Sequence, residues 1–272
     1  MKYDASMTKK QETRRKPYGA RRKTLHPDLC YVLGVIMGDA TIDKRTLVPS
    51  PKARELYKSH GKEYDKLCTY VVSLSVKDRE FVETFAEKLE NVIRRPDQRR
   101  KDIKSLIKTV KKGKSIHYTY RRGVTTLMRW VESLKRDELE KIILDDPEWF
   151  LMGLYDSEGT LTLKGNFGAT IYIFNTDTRT IRLASKCLKK LNIDHSVVVV
   201  RKSGTKVKLP NGSLYETKKP LYAIKISKKK DIRRFAHLVG SYIPRKNPLP
   251  HIECNCPICS HYRKTDPQAS SL

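Results

Sequence analysis

The chain has 272 residues, enough for one substantial hydrophobic core or two small ones, and carries 57 Lys and Arg against 30 Asp and Glu, a formal net charge of +27. Self-repulsion on that scale opposes compaction unless a polyanion neutralises it, so nucleic acid is the first partner implied. No apolar run approaches the ~18 residues of a membrane span, no helix pattern sets a Lys face against a Trp/Phe face, and residues 1–23 hold no apolar signal segment, so the expectation is an intracellular, cytoplasmic protein with no membrane partner.

Residues 1–25 form a polar arm whose basic stretch from Lys9 to Lys23 suits phosphate contacts. An apolar helical run follows, Val32-Leu33-Gly34-Val35-Ile36-Met37-Gly38-Asp39-Ala40, with Pro27 placed near the first turn, where proline is tolerated. Gly34 and Gly38 stand four apart and so share one helical face. Alternation predicts strands over 41–48 and 68–76. Between them the Lys/Arg/Tyr-rich segment 45–66 offers Arg45, Lys52 and Arg54 to a polyanion. A helix beginning at Lys77-Asp78 turns Val82, Phe85 and Leu89 to one side. Strands over 103–110 and 115–121 present Lys104, Lys108 and Arg121, and a helix with Val124, Leu127, Met128, Val131 and Leu134 completes the unit. A short charged link, 135–145, leads on.

Residues 146–243 run through the same order again. Pro147 precedes a second apolar run, Leu151-Met152-Gly153-Leu154-Tyr155-Asp156-Ser157-Glu158-Gly159, with Gly153 and Ser157 four apart. Glu158 follows Asp39 by 119 positions, whereas the next helix, from Thr176-Asp177 through Ile181, Ala184 and Leu188, follows its counterpart by 99. The 20 extra residues of the first repeat fall in segment 45–66. Strands are predicted over 160–164, 169–174, 196–208 and 214–226, with Pro210-Asn211-Gly212 as a hairpin turn. They carry Lys164, Arg201, Lys206, Lys208, Lys218, Lys219 and Lys225, and Ile232, Phe235, Ala236, Val239 and Tyr242 mark the closing helix. The expected fold is therefore α+β: two αββαββα repeats, 26–134 and 146–243, related by a pseudo-twofold axis. Ile103, Leu106, Val197 and Val199 would pack one face of each antiparallel sheet on helices, and the opposite, basic faces would form a curved saddle able to track double-stranded DNA.

If the two motif helices pack along their small-residue faces, Asp39 and Glu158 end side by side at helix C-termini, where the dipole is already negative. Such a pair calls for a divalent cation. Hard cations such as Mg²⁺ take oxygen ligands, so the backbone carbonyls of Gly38 and Ser157 join the candidate set. Asp156 points about 200° around the helix from Glu158 and is expected to hydrogen-bond across the interface rather than hold metal. A tail, 244–272, opens with the Pro-rich linker 244–250 and gathers His251, Cys254, Cys256, Cys259 and His261. That set suits a tetrahedral Zn²⁺ site, with a disulfide or free thiols as the other readings. Cys30, Cys68 and Cys187 sit in apolar contexts and read as core residues. Gln stands only at 11, 98 and 268 while Lys, Arg and Glu abound, a balance that leans towards a thermophilic source.

The two nonamers resemble the motif of the LAGLIDADG homing endonucleases. Leu151, Gly153, Leu154, Asp156, Glu158 and Gly159 all fall on motif positions. The first copy keeps Leu33, Gly34, Ile36 and Asp39 but has Met37 at the first acid and Ala40 at the final glycine. The resemblance covers residues 26–243 and is strongest to archaeal intron-encoded members of the monomeric two-repeat class. It implies an intron-mobility endonuclease, acting without a protein partner, that makes a Mg²⁺-dependent double-strand break in a long pseudo-palindromic DNA site. Mn²⁺ would replace Mg²⁺, Ca²⁺ would bind without cleavage, and Asp39 and Glu158 would each serve one strand. The family also places basic or polar groups at the ends of the second and fourth strands, here Asn175, Arg122 and Lys228, with Val76 departing from the pattern. A non-cleaving RNA-splicing maturase or DNA-binding regulator on the same fold is the alternative. A basic ribosome-associated structural protein would account for the charge but not for the repeated motif.

Overall fold

A computed structural model describes residues 22–59, 67–94, 102–113, 115–163, 169–208 and 212–247. Helix α1 (Arg22–Met37) leads into β1 (Thr41–Leu47), and α2 (Pro51–Ser59) occupies the segment that lengthens the first repeat. There follow β2 (Leu67–Val76), α3 (Arg79–Ile93), the single turn α4 (Ile103–Leu106), β3 (Ile107–Lys112), β4 (Ser115–Gly123) and α5 (Thr125–Ser133). Helix α6 (Arg136–Asp145) joins the halves. The second half comprises α7 (Pro147–Glu158), β5 (Gly159–Leu163), β6 (Ala169–Asn175), α8 (Thr178–Lys190), β7 (Ser196–Arg201), β8 (Lys206–Lys208), β9 (Leu214–Glu216), β10 (Leu221–Ile226) and α9 (Lys229–Leu238). A 3₁₀ turn, Pro244–Lys246, comes last.

Two antiparallel four-stranded sheets result, ordered β1-β2-β4-β3 and β5-β6-β10-β7, with β8 and β9 as a separate hairpin. The matching strand orders are those of a duplicated unit. Each half hangs its sheet from a helix that is apolar nearly all round: Leu29 to Leu33 and Val35 in α1, and Phe150, Leu151, Leu154 and Tyr155 in α7, are buried. A helix without a polar face belongs inside, and these two satisfy one another by crossing at the centre. The amphipathic helices then cover the sheets, α3 through Phe81, Val82, Phe85 and Leu89, and α8 through Ile181, Ala184 and Leu188.

Several local expectations are corrected. Residues 103–106 form a helical turn rather than strand, because the Asp102 carboxylate accepts from the Lys104 amide at 3.1 Å and caps it. The long strands expected over 196–208 and 214–226 are each broken in two, the outer parts peeling away as the β8–β9 hairpin. The link 135–145 is helix α6, with Ile142 and Ile143 buried. Helix α1 begins five residues before Pro27, not at it. Residues 244–247 are no linker, since Lys246 and Asn247 are buried. Ile103 and Leu106 do pack against the core, but Val197 and Val199 stay exposed, Val199 by 55%. They lie on an edge strand, while α7, α8 and α9 cover β6 and β10 instead. Cys30 and Cys187 are buried and Cys68 half-buried, as expected of core residues. Among the described residues no helix is long and apolar enough to cross a membrane.

Candidate metal centre and nucleic-acid face

The crossing of α1 and α7 positions the acids. A Cβ built on Gly38 would lie 2.5 Å from Ser157 Cβ and 3.1 Å from Glu158 Cγ, so the two helix ends touch through the small-residue faces. Helix α1 closes with the amides of Gly38 and Ala40 both donating to the Val35 carbonyl, at 3.2 and 3.1 Å, which places Asp39 in the turn before β1. Helix α7 closes with the Gly159 amide donating to Tyr155, which places Glu158 immediately before β5. The Glu158 carboxyl is pushed up to about 7, first by its own burial and then by the neighbouring Asp39 charge. Asp39 is exposed as a residue, yet desolvation beside the helix crossing raises its carboxyl too, with Lys246 opposing the rise and Asp78 adding to it.

The donor set suits a hard cation short of ligands. Among the described residues no cluster of three or more His, Cys, Asp or Glu could hold a metal. Mg²⁺ commonly binds through one or two carboxylates and completes its shell with water and substrate phosphate. Asp39 and Glu158 would hold such an ion, and their mutual repulsion is the feature it would relieve. Of the two expected carbonyl ligands, that of Ser157 already accepts a hydrogen bond from Lys246 Nζ at 3.0 Å.

Asp156 behaves as expected of an interface residue. It is 1% exposed and accepts from Tyr31 Oη on α1 at 2.9 Å and from Ser241 Oγ, and burial raises its carboxyl to about 6. Asn175 is buried and bonded through both ends of its amide: its Nδ2 donates to the Met37 carbonyl at 3.0 Å, and its Oδ1 accepts from the Asp177 amide at 2.8 Å. It therefore holds the end of α1. Sequence reasoning overlooked Lys246, which is 8% exposed and donates to Asp156 O at 2.7 Å, Ser157 O at 3.0 Å and Tyr155 O at 3.4 Å. It also overlooked Arg245, whose guanidinium grips Asp78 with two bonds, of 3.0 and 2.8 Å. The only sequence signal for either was their place in a basic stretch after the second repeat.

Arg122 and Lys228 lie away from the acids. Strands β2 and β4 are antiparallel, so the start of β4, Tyr118, sits beside Val76, while Arg122 pairs with Val72, about 13 Å back along the ladder. Arg122 faces the helices and pairs with Glu90 at 2.8 Å. By the same geometry Tyr222 pairs with Asn175, and Lys228 falls beyond the Ile226–Ile171 pair, where it is bonded to Asp194. The expectation went wrong by taking the ends, not the starts, of the fourth strands.

Alternate residues of a strand share a face, so the registers sort the expected basic residues. Arg45, Lys108 and Arg121 lie on the face opposite the buried Tyr70, Val72 and Leu74. Arg201 and Lys225 lie on the corresponding face of the second sheet, beside Tyr172 and Phe174, whose rings stack 5.7 Å apart. Asp43 shares the first face and bridges Arg45 and Arg121. Lys52 and Arg54 are exposed on α2, Lys104 sits on α4, Lys206 and Lys208 on β8, and Lys218 and Lys219 in the bend before β10. Lys164, the N-terminal arm before Arg22 and the tail residues His251, Cys254, Cys256, Cys259 and His261 lie outside the described residues.

Residues 145–240 match the LAGLIDADG-like domain family. Two uncharacterised proteins of Methanocaldococcus jannaschii align with the chain. MJ0398 is 26% identical over 220 residues, which is 81% of this chain and 69% of that protein. MJ0314 is 28% identical over 177 residues, 62% of this chain and 56% of that protein, so the chain spans little more than half of its length. Among solved structures, I-DmoI in complex with DNA and Ca covers 88% of this chain and 98% of its own, with a TM-score of 0.52 at 18% identity. Mesophilic variants of the homing endonuclease I-DmoI cover 79% and 96%, with a TM-score of 0.50 at 19% identity. At such identities the likeness is one of fold.

Proposed function

The chain carries a LAGLIDADG-like domain, and from that premise we propose that the protein is a site-specific DNA endonuclease. Its reaction is a Mg²⁺-dependent double-strand break in a long pseudo-palindromic target, of the kind that promotes intron mobility. The observation that carries the reading is the meeting of Asp39 and Glu158 at the crossed ends of α1 and α7, with Glu158 raised to about 7 in part by the Asp39 charge. An exposed and a half-buried carboxylate set side by side repel one another, which makes a poor resting arrangement and a good cation site. I-DmoI, which shares the fold, has been solved in complex with DNA and Ca, and singly substituted variants of it with target DNA in the presence of Mg or Mn.

In this reading the basic faces hold the duplex, Arg45, Lys108 and Arg121 from one sheet and Arg201 and Lys225 from the other, largely by phosphate contact. Asp39 and Glu158 then lie at the dyad, each nearest one strand. Asp39 and Glu158 would hold a divalent cation there, which would supply an activated water and stabilisation of the leaving oxygen. Asp156 and Asn175 keep the helix ends in register with one another. The protein acts as a monomer, since one chain brings both acids.

A non-cleaving RNA maturase or DNA-binding regulator is the rival. The engagement of Arg122 and Lys228 in ion pairs away from the centre favours it. Selection from a randomised duplex library, followed by incubation of the enriched DNA with protein and Mg²⁺, separates the two. Cleavage of both strands at a fixed site is the expected result. Binding without strand scission at any Mg²⁺ or Mn²⁺ concentration would sink the proposal.

A further inference from the structure

We propose that Lys246 is the positioning residue for Glu158, supplied from outside the repeats to do for α7 what Asn175 does for α1. The repeat itself identifies the relationship. Met37 and Asp156 are equivalent, 119 positions apart, and Val76 and Asn175 are equivalent, 99 apart. Asn175 crosses to the other half and gives its amide to the Met37 carbonyl at 3.0 Å. Val76 has nothing to donate, so the matching carbonyl, that of Asp156, would be left bare at a helix end. Lys246 Nζ fills that place at 2.7 Å and takes the carbonyls of Ser157 and Tyr155 as well.

A buried ammonium is costly unless its three protons are bonded, and here three carbonyls receive them. The last C=O groups of a helix lack partners within it and carry the negative end of its dipole, so a cation suits the place. The turn that bears Lys246 is anchored at both sides. Tyr155 Oη donates to the Lys246 carbonyl at 2.8 Å, and Arg245 is clamped on Asp78 of the first repeat. Asp78 can serve here because it makes no side-chain cap bond to α3, whereas its equivalent Asp177 caps α8. The turn thus supplies, in one half, the hydrogen bond that Val76 cannot make. It leaves the two acids held by chemically different anchors: a neutral amide behind Asp39 and an ammonium behind Glu158.

The role concerns how the helix ends are held, and it bears on strand cleavage only through the endonuclease reading. Amide hydrogen exchange in the metal-free protein tests the first part. K246M should speed exchange at Glu158 and Gly159 by about tenfold, the loss of one charge-assisted hydrogen bond, and leave Gly38 and Ala40 unchanged. N175A should do the reverse, and it reads the same proposition from the other helix should K246M not fold. Adding V76N to K246M should restore protection at Gly159. Uniform loss of protection, no change at Gly159, or failure of V76N to restore it would overturn the assignment. With the selected duplex, labelled on each strand, and Mg²⁺, K246M should slow the strand that E158Q spares least by about tenfold more than the other. Equal slowing of both strands would mean a merely structural role. If no variant, nor the wild type, cuts DNA while the exchange pattern holds, the positioning role stands and the endonuclease reading fails.

Discussion

Gly153 lies so close to the Tyr31 carbonyl that a Cβ built on it would sit 2.1 Å from the oxygen. The dyad repeats the contact: a Cβ on Gly34 would lie 2.3 Å from the Phe150 carbonyl. Both obstacles are backbone, so neither can swing aside, and any side chain here forces the helices apart. G153A should therefore cost about 3 kcal/mol, at the upper end of overpacking penalties. Gly123, where an added Cβ meets nothing within 4 Å, is the control, and G123A should be near neutral. Urea unfolding of the two variants measures the difference. Equal stabilities would mean that the helices do not cross at these glycines.

On the proposed endonuclease reading, the same crossing would make the two acids separable in function. D39N and E158Q each remove one charge from the pair while keeping shape and hydrogen-bonding capacity, so affinity for the selected duplex in Ca²⁺ should stay within a few-fold of wild type. In Mg²⁺ each should lose cleavage of one strand by about 10³-fold or more, giving nicked product. Wild-type cutting in both variants would remove the pair from the chemistry.

Glu158 and Asp156 also set a pH signature in the metal-free protein. Their ordinary values, 4.5 and 3.8, rise to about 7 and about 6. A carboxyl raised in this way holds its proton more tightly folded than unfolded, so its stabilising effect is full below the unfolded value and is lost as pH climbs through the folded one. Asp78, Asp177 and Asp194, held low by their partners, act in the opposite sense and only at more acidic pH. Melting temperature should thus fall between pH 4.5 and 7 more steeply in wild type than in E158Q, and Ca²⁺ should raise it most above pH 7, where both acids of the centre are charged. Parallel curves for wild type and E158Q in calorimetry would contradict the burial of this carboxyl.

What could be read in the chain and what could not divides along a physical line. The helix crossing and the pairing of Asp39 with Glu158 follow from spacings that recur with the 119-residue offset, and a duplicated spacing survives whatever surrounds it, while the interface role of Asp156 follows from its place around the helix relative to Glu158. Lys246 carries no such trace, because it lies outside both repeats and its role behind the other motif helix is filled by Asn175, a different residue at a different place in the unit. Val197 and Val199 belong to a run of four valines that reads as core, but strand order, not composition, decides that β7 lies at an edge. Arg122 and Lys228 fall away from the acids because strand direction reverses between the second and fourth strands, which composition does not record. Helix α6 reads as a linker because charged residues crowd its first two turns, yet Ile142 and Ile143 within it are both buried.

The registers also separate the basic residues that the proposed reading sets against DNA from those that hold the fold, and salt would tell them apart. Each phosphate contact releases counterion, so the logarithm of affinity falls with the logarithm of salt by about 0.9 per contact. Lys108 and Lys225 stand on the outward sheet faces, and K108A or K225A should each lower the slope by about 0.9 while leaving stability within about 0.5 kcal/mol of wild type. Arg122 points the other way, into a half-buried pair with Glu90 that also receives the Tyr120 hydroxyl at 2.9 Å. R122A strands that carboxylate, so it should lower stability by about 2 kcal/mol and leave the salt slope where it was. Fluorescence anisotropy with labelled duplex across a salt series, alongside urea unfolding, reads both quantities. A slope that drops for R122A but not for K108A would mean that the helix-covered side of the sheet, not the open one, meets the duplex.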